Sequence, residues 1–107
     1  MRSPTLIIDG PHTQVEAEQG SCTAVFTASL VNKDNLKAEN AKVYCRLTDA
    51  KGKVVVEEKK ALGVLGPRDS RQFTLNLTTD CQQRGQLEVY CRSTCENCFK
   101  IPVEIAL

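Results

Sequence analysis

The chain has no tryptophan, only two tyrosines and three phenylalanines, one histidine and one methionine. A 107-residue domain with so few large rings must fill its core with aliphatic side chains, which suits strands rich in Val, Ile and Leu. No apolar run approaches the roughly 18 to 20 residues that a membrane helix needs. The opening MRSPTLIIDG holds a three-residue apolar cluster, where a secretory leader needs about 7 to 15. No direct membrane insertion is therefore expected of this segment. An excess of one charge is also missing, with 14 Lys+Arg against 13 Asp+Glu and no like-charge block. That excludes the basic footprint of a nucleic-acid binder. There is no glycine-rich phosphate loop, no D-x-D-x-D-G calcium pattern, no internal repeat and no low-complexity tract. Any Ser-His or Cys-His nucleophile would have to use His12, which lies in a Pro-flanked stretch with no Ser or Cys motif beside it. It reads as a solvated loop residue, and the expectation is a protein that is not an enzyme and takes no cofactor.

What is present is period-two patterning. In residues 41–62, Ala41, Val43, Cys45 and Leu47 alternate with Lys42, Tyr44, Arg46 and Thr48, giving one apolar face and one that can meet water. Asp49 to Gly52 then supplies a turn, since Asp can bond the backbone ahead of it and Gly tolerates positive φ. Val54, Val55 and Val56 restart the β-rich run at once. The pattern predicts an antiparallel hairpin.

Similar runs occur along the whole chain. Strands are predicted over 5–8, 22–31, 41–48, 53–62, 70–77, 86–94 and 99–107, with a further edge piece over 13–18. Pro11 and Pro102 each remove a ladder donor, so the first strand should stop near 10, and 99–107 should be an edge strand or carry a bulge. Residues 32–40 read as a polar loop, and Leu65 as a core plug before the Gly66-Pro67 turn. Short strands at regular spacing without a helical period predict an all-β fold, an immunoglobulin-like antiparallel β-sandwich of seven to eight strands. Residues 1–107 are read as a single domain, expected to belong to a longer protein.

A strand ending in Val31 and Asn32, the hairpin from Leu47 through Asp49 and Gly52 to Val55, then Leu65 to Pro67 and Ser70 to Phe73 carry a family resemblance. Residues 22–77 resemble the FxLYD-type immunoglobulin-like domains of bacterial and archaeal envelope proteins and are similar to CARDB-like modules. Cys45 stands where the naming motif has Phe, and Thr48 where it has Tyr. The resemblance implies an extracytoplasmic accessory or adhesive domain of the cell envelope and supplies no catalytic residues.

Six cysteines hold the only concentrated chemistry. Their even number favours disulfides in an oxidising compartment. Of fifteen possible pairings, strand order favours Cys22 with Cys81 at the start of strand 22–31. Cys45 with Cys91 would join neighbouring strands, and Cys95 with Cys98 would close a turn. The rival reading is zinc held by Cys45, Cys91, Cys95 and Cys98, four soft ligands that lack a second CxxC. Buried free thiols and a redox-active Cys95/Cys98 pair are further alternatives. Asn76-Leu77-Thr78 is a candidate N-glycosylation sequon. Glu57 to Lys60 reads as the wet end of strand 53–62, and Asp34, Glu39, Asp49 and Asp69 read as turn formers.

These features lead to a non-enzymatic structural or protein-binding module of an exported or membrane-anchored protein. Its partner is expected to be another protein or a neighbouring domain, contacted through the edge strand 99–107 or 53–62. The alternative is a zinc-stabilised intracellular interaction domain.

Overall fold

The computed structural model describes residues 3–80 and 87–98, together with the backbone of 104–106. Unbroken alternation makes β2 (Ser21–Asn32) the centre of one sheet. Its even-numbered row, Cys22, Ala24, Phe26, Ala28, Leu30 and Asn32, is buried. Antiparallel neighbours β1 (Leu6–Glu18) and β5 (Ser70–Asp80) flank it. The second sheet has the order β4 (Val54–Leu65), β3 (Ala38–Thr48), β6 (Glu88–Thr94), β7 (Glu104–Ala106). Among the described residues these seven strands form the expected antiparallel, immunoglobulin-like sandwich.

The inward rows of the two sheets make one core. Phe26 packs on Phe73 with ring centroids 5.8 Å apart and a tilt of 55°, a geometry worth about 0.5 to 1.5 kcal/mol beyond simple burial. Leu30, Leu65, Leu77 and Val43 are wholly shielded, so Leu65 is the plug the sequence suggests. The central hairpin also forms as expected. Asp49 Oδ1 accepts the amides of Lys51 and Lys53, both at 2.9 Å, while Gly52 adopts a φ of 82°.

Several expectations are corrected, all bearing on where strands begin and end. The strand 5–8 and the edge piece 13–18 are one strand, β1, which passes Pro11 through a bulge between Asp9 and His12. Gly10 turns there with a φ of 61°, which shifts the register and takes Pro11 out of the ladder. His12 accordingly sits in a strand opposite Thr27, not in a loop. β3 begins at Ala38, within the expected loop, by a bulge at Asn40. β4 runs to Leu65 because Gly63, at a φ of 77°, absorbs a further shift. β5 likewise continues to Asp80.

Glu57 to Lys60 is the exposed middle of β4, not its end. Glu58 and Lys60 stand opposite Cys45 and Val43, whose side chains point into the core. Charges on the inward side of an edge strand keep it from pairing with foreign strands. Lys60 reaches across instead and donates from Nζ to the carbonyl of Thr74 on β5, 3.3 Å away. Arg71 of β5 returns the contact by donating to the Leu62 carbonyl.

Asn32 ends the buried row with a polar group, and everything around it answers that group. Its Nδ2 lies 2.7, 3.1 and 3.3 Å from the carbonyl oxygens of Leu36, Gly66 and Leu65. Its Oδ1 accepts the amide of Asp34, and its own amide donates to Asp69. One buried side chain thus holds the loop after β2 against the turn after β4. In that turn Asp69 N donates to Gly66 O across Pro67 and Arg68, the latter at a φ of 61°.

Candidate functional site

The fold resolves much of the cysteine chemistry. Cys45 on β3 and Cys91 on β6 are directly opposite in the antiparallel register and form a disulfide with Cα atoms 4.1 Å apart. That spacing approaches the close, non-hydrogen-bonded pair of an antiparallel ladder. The bond joins neighbours within one sheet and does not cross between sheets, as the central disulfide of antibody domains does. Cys95 and Cys98 form a second disulfide, closing the turn after β6. The four cysteines of the zinc alternative are thus divided into two pairs. No cluster of three or more His, Cys, Asp or Glu able to hold a metal occurs among the described residues. Cys22 is also disulfide-bonded, at the end of β2 opposite Thr79 of β5. Its expected partner, Cys81, lies outside the described residues, as do the side chains of the strand 99–107.

The Cys95 turn is docked on β3 by a side chain that imitates a peptide. Asn97 accepts the amide of Glu39 through Oδ1 at 2.9 Å and donates through Nδ2 to the carbonyl of Lys37 at 2.8 Å. Glu96 donates its amide to Glu39 O at 2.7 Å, and its carboxylate accepts from Asn40. A four-residue loop thereby becomes an extension of the ladder.

The remaining candidates from the sequence lie apart from one another. His12 is exposed on the outer face of β1, and Asn76 is exposed on the outer face of β5 opposite Val25. Asp34, Asp49 and Asp69 accept nearby backbone amides, as turn formers do, and Glu39 pairs with Lys37 at 3.0 Å.

The outer face of the four-stranded sheet carries a group that the sequence alone did not single out. Both tyrosines of the chain are there, each beneath an arginine from the neighbouring strand. The guanidinium of Arg46 lies 5.0 Å from the ring centre of Tyr90, and that of Arg92 lies 4.6 Å from the ring centre of Tyr44. These are opposite pairs of β3 and β6, so the four residues form a checkerboard that repeats as Tyr-Arg and Arg-Tyr. Each stacked pair contributes about 0.5 to 1 kcal/mol at such half-exposed sites. Tyr90 also donates its hydroxyl to Glu88, and Lys42 and Lys59 flank the patch on β3 and β4. Arg and Tyr are the residue types that dominate binding energy at protein interfaces. The signal was available in the sequence. Once Cys45 pairs with Cys91, antiparallel counting places 44 against 92 and 46 against 90.

No family model matches the chain, and no curated protein matches it. Solved structures do resemble it in fold. A beta-glucuronidase from glycoside hydrolase family 2 matches with a TM-score of 0.70 at 16% identity, over 92% of this chain and 11% of that one. A Bacteroides fragilis protein assigned as a beta-galactosidase matches with a TM-score of 0.71 at 12% identity, over 92% of this chain and 15% of that one. A structural-genomics target matches with a TM-score of 0.65 at 17% identity, over 98% and 85% of the two chains. This chain therefore spans a small part of the two glycosidase chains and nearly all of the third.

Proposed function

We propose that this chain is a non-enzymatic, immunoglobulin-like module of an exported or membrane-anchored protein, serving as a structural unit or as a surface that binds a neighbouring domain or protein. The observation that carries the reading is the oxidised cysteine framework, with one disulfide in the middle of the core and another clasping a surface turn. Such bonds persist in oxidising compartments and are reduced in the cytosol. Two further features support the module role. The same sandwich fills only 11% and 15% of two longer chains, and the resemblance to FxLYD-type and CARDB-like envelope domains points the same way. Fold alone carries no activity across, so the glycosidase chemistry of those proteins stays with them.

The test is intact mass after alkylation of the protein in its isolated state, beside metal analysis. The expected result is no alkylation of the denatured, unreduced chain, six alkylations after reduction and no bound metal. One zinc per chain with four thiols that react only after its removal would overturn the reading in favour of a zinc-stabilised intracellular domain.

A further inference from the structure

Asn76-Leu77-Thr78 is the one Asn-x-Ser/Thr triplet in the chain, and its middle residue is not proline. Strand alternation divides its side chains. Leu77 points inward and is wholly shielded, whereas Asn76 and Thr78 are exposed on the outer face of β5. Across the ladder Asn76 faces Val25, Thr74 faces Thr27 and Thr78 faces Thr23. The threonines on either side are tied in cross-strand pairs, with Oγ1 atoms 3.4 Å apart for Thr27 and Thr74 and 2.9 Å apart for Thr23 and Thr78. Between those pairs the Asn76 amide has no hydrogen-bond partner among the described residues. The side chains around it, Thr23, Val25, Thr27, Thr74 and Thr78, are all short, and half-buried Val25 offers an apolar floor. A bulky group on Nδ2 meets no obstacle there and displaces no contact.

We infer that Asn76 carries an N-linked oligosaccharide, attached before β5 joins β2. The donor is a polyprenyl-diphosphate-linked oligosaccharide. Asn76 Nδ2 forms a bond to the anomeric carbon of the first sugar as the bond from that carbon to the phosphate oxygen breaks. The polyprenyl diphosphate leaves with the electron pair, and Nδ2 gives up one proton, so the side-chain amide stays neutral. Thr78 supplies the hydroxyl that completes the acceptor triplet. The fold sets the order of events. In the folded chain that hydroxyl is bonded to Thr23, Leu77 is held in the core, and β5 is paired with β2 from Ser70 to Asp80. The triplet is therefore open to a transferase only while the chain is extended, in the compartment where the disulfides form. Afterwards the sugar stands on the outer face beside Val25. β5 ends its sheet, so the sugar also hinders a foreign strand from adding there. The Tyr/Arg face of the other sheet stays open.

This rests on the reading of an exported module, and the two fail separately, since alkylation reports on the cysteines and the sugar reports on Asn76. The experiment is expression of the full chain behind a secretory leader in mammalian cells, with intact mass before and after treatment with peptide N-glycosidase. The expected result is a species heavier by one oligosaccharide, which the glycosidase returns to the mass of the chain with an aspartate at that position. Asn76→Gln keeps an amide on the exposed face and is expected to lose the heavier species. Thr78→Ser keeps the hydroxyl and is expected to retain it. A membrane-permeant dithiol present during synthesis delays the disulfides and is expected to raise the modified fraction. The folded, oxidised chain, given microsomal transferase and its lipid-linked donor, is expected to stay unmodified. A secreted, oxidised chain of unmodified mass overturns the inference, as does a heavier species that survives Asn76→Gln. Modification of the folded chain as fast as that of the reduced, unfolded chain overturns the order of attachment.

Discussion

Asn32 and the Cys45–Cys91 disulfide both tie the sandwich together, by opposite means. The disulfide is covalent and joins β3 to β6, strands that are already hydrogen-bonded from Lys42 to Thr48. Asn32 makes only hydrogen bonds, yet it joins segments that no ladder connects, the loop after β2 and the turn after β4. The covalent tie therefore acts mainly on the unfolded chain, by shortening the loops it can explore. The polar tie acts on the folded chain, where one side-chain amide reaches three buried or half-buried carbonyls. The stronger bond is thus not the one whose loss should matter most.

Asn32→Asp tests this most severely. The substitution keeps the shape and turns the donor into an acceptor, so a carboxylate faces the carbonyls of Leu36, Leu65 and Gly66. The Gly66 carbonyl keeps the Asp69 amide, but the Leu36 and Leu65 contacts turn repulsive, and burying an unpaired charge against them costs about 4 kcal/mol or more. Burial and facing carbonyls raise the pKa of the introduced carboxyl in the folded state above its unfolded value near 3.9. A raised carboxylate pKa means that stability falls as pH rises from the unfolded value through the folded one. Urea unfolding should therefore show the largest loss near neutral pH and partial recovery below about pH 4. A variant as stable as the parent at neutral pH would remove Asn32 from its place as a tie.

Cys45→Ala with Cys91→Ala comes next. The bond closes a sequence separation of 46 residues, and loop entropy sets its contribution at about 3 to 4 kcal/mol. The ladder around it survives, so the variant should fold to the same sheet with a lower denaturation midpoint and a slope as steep or steeper, since an unfolded chain without the cross-link exposes more surface. A shallower slope would show that the disulfide shapes the native sheet as well as the unfolded chain. Cys95→Ala with Cys98→Ala is expected to cost less, about 1.5 kcal/mol, because the closed loop has a separation of only 3. In that variant Asn97 still holds the turn to Lys37 and Glu39. Amide exchange at Glu39 should quicken modestly, and a loss as large as that of the core pair would place the clasp above the Asn97 contacts.

The contrast also explains what could be read from the residues alone. Strand centres were legible because alternation is local, as in Ala24, Phe26, Ala28 and Leu30. The Asp49 to Gly52 turn was legible because its chemistry is contained within four residues. The Cys45 with Cys91 and Cys95 with Cys98 pairs followed once strand neighbours were assigned. Strand ends were not legible, because Gly10 and Gly63 act as bulges that carry a strand onward where a glycine or proline ordinarily stops it. The role of Asn32 depends on contacts between distant segments, which parity along one strand does not reveal, whereas the Tyr/Arg checkerboard needed only counting outward from the Cys45 with Cys91 pair. Asn32 did leave one trace, a polar residue on the buried parity of β2.

The smallest effect is expected where neither tie reaches. The β1 to β2 hairpin turns at Gln19 and Gly20, with Glu18 paired to Ser21, at the opposite end of β2 from Asn32. Both turn residues have positive φ, 45° and 88°, the two-residue type I′ geometry that suits the right-handed twist of a hairpin. Gly20 adopts it freely, whereas Gln19 carries a side chain in a region that favours Asn. Gln19→Asn should therefore stabilise the domain by about 0.5 kcal/mol, raising the melting temperature by about 2 to 4 °C. The same substitution made alongside Asn32→Asp should give the same increment, because the two sites share no partner and lie far apart along β2. A gain that disappears in the double variant would mean that the hairpin senses the corner, and that the two ends of the sheet are not independent.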